Sequence, residues 1–150
     1  MTVYLAADHR GFKLKNALRD WLRGERREVI DLGSLELNKN DDYPDLGITL
    51  AEKVAGDSGS LGVAVCGSGV GMAVAAGKVK GVRAMVAHQP ELAAAGRRDD
   101  DVNVISMGAD FINEEKAKEI VKAVLETNFS GEERHKRRVE KIRQYENGNC

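Results

Sequence analysis

The stretch Leu61-Gly62-Val63-Ala64-Val65-Cys66-Gly67-Ser68-Gly69-Val70-Gly71 decides the architecture. A short apolar run rich in β-branched residues reads as a buried strand. The glycines after it end the strand, and the small residues that follow suit a helix start. Similar apolar runs occupy residues 3–6, 29–32, 82–87 and 102–107, and each is followed by glycine, proline or polar residues. With residues 61–65 they predict five strands.

Helical periodicity lies between them. Leu14, Leu18, Trp21 and Leu22 share one face, as do Leu46, Leu50 and Val54, and later Ala117, Ile120, Val121 and Val124, with Asn113 placed to cap that last helix. Strands alternating with helices require crossover connections. The expected fold is therefore α/β, a doubly wound parallel sheet of about five strands with helices on both faces. In such sheets ligands bind at the carboxyl ends of the strands. Residues 35–45 are polar and aperiodic and read as an excursion loop. The charged stretch from Gly131 predicts a C-terminal helix beginning near that residue.

At 150 residues and 42% hydrophobic, the chain suits one globular domain spanning residues 1–150. The 23 basic residues balance 24 acidic ones, so nothing in the charge calls for a nucleic-acid partner or an anionic membrane. The first residues run straight into a strand without a basic flank, and no apolar stretch is long enough to span a bilayer; the expected location is cytoplasmic. Cys66 and Cys150 are the two cysteines. They show no CxxC spacing and no nearby histidine pair, which argues against a disulfide framework or a metal site and leaves Cys150 as a surface thiol.

The exit of the third strand is the strongest candidate site. Its glycines let backbone N–H groups converge on an anion or a developing oxyanion. A thiol beside a helix start can serve as base or nucleophile, or it can be a small buried hydrophobe; position alone leaves both readings of Cys66 open. Three other phosphate-loop readings fail. A Walker A loop needs lysine then serine or threonine after its last glycine. A dinucleotide fingerprint needs a third glycine where Met72 stands, and a cysteine phosphatase needs an arginine at that same place. At the first strand's exit, Asp8-His9-Arg10-Gly11 sets a carboxylate, an imidazole and a guanidinium where ligands bind, a combination able to hold hydroxyls and phosphate. Arg134 and Arg138, four apart, share a helix face on which two guanidiniums can grip one phosphate, or reach a neighbouring subunit.

At Asp8-His9-Arg10-Gly11, Asp42-Tyr43-Pro44, Cys66-Gly67-Ser68-Gly69-Val70-Gly71, Asn103-Val104, Arg134-His135 and Arg138-Val139, taken in order, the chain resembles the type B ribose-5-phosphate isomerases, a family that includes the galactose-6-phosphate isomerase subunits. The resemblance implies a Rossmann-like domain, catalysis without metal or other cofactor, and a homodimer with sites shared between subunits, sometimes a dimer of dimers. It implies aldose–ketose isomerisation of a phosphorylated sugar, ribose 5-phosphate to ribulose 5-phosphate, through a cis-enediolate. Cys66 matches the base, Ser68 the usual threonine or serine, and Gly67, Gly69, Val70 and Gly71 the amide hole. Asp8 and Tyr43 match sugar contacts, while His9, Arg134 and Arg138 match the phosphate site.

Two departures from the pattern stand out. Asp99 and Asp100 stand where many members carry a ring-opening histidine followed by asparagine, and Gly77 stands where asparagine is common. Asp99 can take over the acid–base role if its pKa is raised. Alternatively another residue or water opens the ring, or the substrate is linear, as a tetrose 4-phosphate is. A hexose 6-phosphate substrate and a non-catalytic sugar-phosphate binding module complete the alternatives.

Overall fold

The computed structural model describes residues 1–33 and 35–148, so the expectation for Cys150 lies outside the described residues. Five parallel strands form one sheet: β1 (Val3–Ala7), β2 (Val29–Asp31), β3 (Leu61–Cys66), β4 (Ala84–Val86) and β5 (Val104–Gly108), in the order β2-β1-β3-β5-β4. β1, β3 and β5 are buried along their full lengths, and they are the continuous apolar runs of the sequence. β4 is shorter than its apolar run, since only residues 84–86 reach the ladder of β5.

Six helices complete the chain: α1 (Phe12–Gly24), α2 (Tyr43–Gly56), α3 (Val70–Ala76), α4 (Pro90–Asp100), α5 (Glu114–Leu125) and α6 (Glu133–Glu146). Side chains alternate across the sheet and divide the core in two. On one face Val3, Leu5, Val63, Val65, Ile105 and Met107 meet Leu14, Leu18 and Leu22 of α1 and Ile120, Val121 and Val124 of α5. On the other, Tyr4, Ala6, Ala64, Cys66 and Val104 meet Leu50, Ala51 and Val54 of α2 and Met72 and Ala76 of α3. Each fully buried leucine contributes about 1.5–3 kcal/mol of transfer free energy. Asn113 caps α5, its side chain accepting from the Lys116 N–H at 2.8 Å.

A helix boundary differs from expectation as well. α2 starts at Tyr43, inside the expected excursion loop, because Pro44 at the first turn is pre-set for a helix and gives up only an N–H that would have no partner there. α6 starts at Glu133, near Gly131 as expected. Beneath the loop, the buried Lys15 ammonium donates to both Asp31 oxygens at 2.8 Å, with Arg19 adding a third contact at 3.2 Å. This pairing ties α1 to the end of β2.

The chain goes from β1 to β2 on one side and returns to place β3 on the other. The strand order thus reverses between β1 and β3, which opens a crevice above their carboxyl ends.

Candidate active site

The residues at that crevice are the ones that leave β1 and β3. Asp8 N–H donates to the Val65 carbonyl at 3.2 Å. The Asp8 carboxylate accepts the N–H groups of Arg10 and Gly11, each at 3.0 Å, closing a tight turn before α1. Only glycine fits at position 11, because a Cβ there would lie 2.4 Å from the Val65 carbonyl oxygen. The turn therefore presses directly on the strand that carries Cys66.

Cys66 is 4% exposed and faces the α2–α3 side of the sheet. Its sulfur accepts the Gly69 N–H at 3.1 Å. Gly69 has φ +81°, the left-handed conformation that turns the loop back over the sulfur and directs its carbonyl toward β5. That carbonyl accepts the buried Ser106 hydroxyl at 2.6 Å and also the Ala73 N–H at 3.2 Å. The Cys66 and Gly67 carbonyls accept the Ala109 and Asp110 N–H groups at 2.8 and 3.0 Å. Ser68 is exposed, and its hydroxyl accepts the Val70 N–H at 3.2 Å. The Cys66, Gly67 and Gly69 carbonyls are thus pinned from β5 and the turn after it, while the Gly69 and Val70 amides close on the Cys66 sulfur and the Ser68 hydroxyl.

Two more expected residues join it. His9 Nδ1 lies 2.6 Å from an Asp41 carboxylate oxygen that also accepts the His9 backbone N–H at 3.1 Å. Asp41 thereby holds the ring through Nδ1, and among the described residues Nε2 has no hydrogen-bond partner. Tyr43 stands over the loop; a Cβ on Gly71 would come within 2.7 Å of its ring. Asp8, His9, Tyr43, Cys66, Ser68, Gly67, Gly69, Val70 and Gly71 are thus brought together.

Asp99, Asp100, Arg134 and Arg138 are not. α4 runs back along the sheet and delivers Asp99 and Asp100 beside Arg83 and the start of β5, at the amino edge. α6 begins at the same edge, where the Ser130 N–H donates to the Arg98 carbonyl at 2.9 Å and His135 Nδ1 lies 3.9 Å from Asp99. Five-residue β5 separates the two edges by roughly 16 Å at about 3.3 Å per residue. That exceeds the reach of a pentose phosphate. Nor does Asp99 meet the condition set for an acid. The Arg98 guanidinium hydrogen-bonded to it holds its carboxyl below the ordinary value, and the positive charges of Arg98, His135 and Arg134 act in the same direction.

Asp41, Ser106 and Asp110, the partner of Arg10, belong to the site and were not singled out in the sequence. Asp41 carried a signal, lying one residue before Asp42-Tyr43-Pro44. Ser106 and Asp110 carried none, since each acts across the sheet on a loop distant in sequence. Among the described residues no group of three or more His, Cys, Asp or Glu side chains is placed to hold a metal ion, and no helix is long and apolar enough to cross a membrane.

A five-stranded doubly wound sheet with a thiol set among converging amides at its switch point defines an α/β protein of the Rossmann-like class, with a site suited to anionic, proton-transferring chemistry. A model described as Ribose/Galactose Isomerase matches residues 3–142, and the chain belongs to that family. It is 40% identical over 144 residues to the probable ribose-5-phosphate isomerase B of Mycoplasma pneumoniae, covering 96% of this chain and 94% of that one. It is 38% identical over 146 residues to ribose-5-phosphate isomerase B of Mycobacterium tuberculosis, covering 97% and 90%. The crystal structure of ribose-5-phosphate isomerase B from Mycoplasma genitalium with bound ribulose-5-phosphate superposes with a TM-score of 0.93 at 39% identity, over 97% of this chain and 96% of that one.

Proposed function

We propose that the chain is an aldose–ketose isomerase acting on ribose 5-phosphate to give ribulose 5-phosphate, with Cys66 as the base. The carrying observation is the position of the Cys66 sulfur at the switch point, 3.1 Å from the Gly69 N–H and within a loop whose Cys66, Gly67 and Gly69 carbonyls are tied down behind it. Relatives that bear this activity in their names, and the ribulose-5-phosphate in the M. genitalium structure, support the substrate.

The thiolate takes the proton from C2 of the open-chain aldose, and the electron pair moves into a C1–C2 double bond as the C1 carbonyl becomes an oxyanion. The amides of residues 67–71 stabilise this cis-enediolate. Removing a single donor of such a hole costs about 2.7–4 kcal/mol in other enzymes. Cys66 returns the proton to C1 while the Ser68 hydroxyl passes the oxygen-bound proton from O2 to O1. Asp8 and Tyr43 hold sugar hydroxyls. Donor and acceptor carbons lie within one molecule, so the redox change balances without an external oxidant or reductant. A base that works as a free thiol fits a reducing, cytoplasmic compartment.

The phosphate site needs a second copy. Arg134, Arg138, Asp99 and Asp100 are too far from Cys66 in their own chain, whereas an isologous dimer exchanges edges and completes two sites at once. The surface supports this arrangement. A groove of about 670 Å³ beside edge strand β4 is lined by Met85, Leu92, Ile142 and Tyr145, with Asp99 and Asp100 on its wall. Val70 and Val74, exposed on α3, continue the apolar surface from the Cys66 loop toward it.

A second reading, preference for a linear tetrose 4-phosphate, is favoured by Asp99. An ionised carboxylate accepts a proton from the anomeric hydroxyl but does not donate one to the ring oxygen near neutrality. A panel of aldose phosphates assayed with wild type and Cys66→Ala tests both readings. Turnover of ribose 5-phosphate that vanishes in Cys66→Ala is the expected result. Faster use of erythrose 4-phosphate selects the linear substrate. Tight binding without Cys66-dependent turnover overturns the isomerase reading in favour of a binding module.

A further inference from the structure

Arg10 is placed unlike an ordinary surface arginine. It follows β1, yet its guanidinium crosses the exit of β3 and pairs through Nη2 with Asp110, which follows β5. A Cβ on Gly67 would lie 2.4 Å from Arg10 Cζ and 2.5 and 2.6 Å from its Nε and Nη1. The planar group therefore rests flat against the first residue of the Cys66 loop. Both of its anchors are themselves fixed: its backbone N–H donates to the Asp8 carboxylate at 3.0 Å, and the Asp110 N–H donates to the Gly67 carbonyl at 3.0 Å. The side chain nevertheless remains 56% exposed, open to the crevice.

We infer that Arg10 is a substrate-binding residue that takes the phosphate of the sugar, held in its binding pose by Asp110. The inference rests on the isomerase reading and adds to it a cation supplied by the same chain as Cys66. The chemistry is that of a forked donor. Asp110 engages only Nη2, and among the described residues Nε and Nη1 have no hydrogen-bond partner, so one edge of the fork remains for two phosphate oxygens. His9, the preceding residue, is held by Asp41 through Nδ1 and keeps Nε2 without a hydrogen-bond partner among the described residues. The acids here, Asp8, Asp41 and Asp110, are all engaged by backbone N–H, imidazole or guanidinium groups, which lessens their repulsion of an incoming dianion. The Cys66 chain thus contributes Arg10 and His9 to the phosphate, and a second copy contributes Arg134 and Arg138.

Orthophosphate binding by titration calorimetry and steady-state kinetics with ribose 5-phosphate, on wild type, Arg10→Ala and Arg10→Lys, tests this. A hydrogen bond to a charged group is worth about 1.5–3 kcal/mol, so Arg10→Ala is expected to weaken orthophosphate binding and raise KM by about ten- to a hundredfold. The effect on kcat is expected to be smaller. Arg10→Lys, which keeps the charge and loses the fork, should fall between. If Arg10→Ala fails to fold, Arg10→Gln carries the same expectation. Orthophosphate affinity and KM within about twofold of wild type in a folded variant overturn the inference, even if the melting temperature falls, because Arg10 is then only a tie between strand exits. Arg10-dependent orthophosphate binding by a wild-type protein that turns over no aldose phosphate leaves Arg10 in place and removes the isomerase reading instead.

Discussion

Ser106→Ala tests whether the Cys66 loop is held in place from β5. The Ser106 hydroxyl is fully buried and donates to the Gly69 carbonyl at 2.6 Å, behind the residue whose N–H reaches the Cys66 sulfur. Because that carbonyl also accepts the Ala73 N–H at 3.2 Å, the substitution does not leave it without a partner. The expected loss is then the net value of one hydrogen bond, about 0.5–1.5 kcal/mol, rather than the larger penalty for an unsatisfied buried group. Near 1 kcal/mol, a chain of this size melts about 2–4 °C lower. Alanine removes only the oxygen, so no carbon cavity adds to the effect. Catalysis should suffer more than stability. A shift of the Gly69 amide by a fraction of an ångström misaligns the sulfur and the oxyanion donors, and misplacements of about 1 Å cost on the order of a hundredfold in rate. Calorimetric melting and kcat on ribose 5-phosphate, measured on the same preparation, are the assays. The expected result is a fall in kcat of about tenfold or more with a small fall in melting temperature. An unchanged kcat alongside the expected melting shift would refute the idea that β5 positions the loop.

Two further outcomes follow from the charged groups. Lys15→Met leaves the buried Asp31 carboxylate with the Arg19 guanidinium and the Gly33 N–H but without its ammonium, and should lower stability by about 3 kcal/mol in urea unfolding, whereas Lys15→Met with Asp31→Leu should recover most of the loss. Asp99, held below its ordinary 3.8 by Arg98, adds stability above that pH that disappears as acidification passes its lowered value; Asp99→Asn should therefore flatten the acid limb of a melting-temperature profile. On the kinetic side, Asp99→Asn should slow ribose 5-phosphate and erythrose 4-phosphate by similar factors, and a selective loss on the cyclic sugar would show that Asp99 opens the ring.

β1, β3 and β5 were legible because, buried on both faces, they carry largely apolar runs that need no partner to be recognised, even with Gly62 in β3 and Ser106 in β5. Cys66 was legible for the same reason: the thiol and its glycines stand at the end of such a run. β4 was overdrawn since it sits at the sheet edge, where apolar residues such as Val82 pack against helices without joining the ladder. The interactions that organise the site are different in kind. His9 with Asp41, Arg10 with Asp110 and Ser106 with Gly69 each join two strand exits or loops, and which exits are neighbours depends on the order β2-β1-β3-β5-β4. Local sequence does not encode that order. The separation of Asp99 and Arg134 from Cys66 is a consequence of direction: α4 ends at the amino edge after running back along the sheet, and α6 begins at that edge because α5 has run back before it, however well these residue types suit the chemistry at the other.

That separation bears on how rate scales with concentration. In the proposed dimer, a chain that carries its thiol at one edge and its paired guanidiniums at the other holds two incomplete halves, and no rotation of side chains within it can unite them. Activity per molecule is then expected to track the fraction of chains in contact with another. On dilution, specific activity should fall as paired chains come apart, with substrate bridging the two chains opposing that fall.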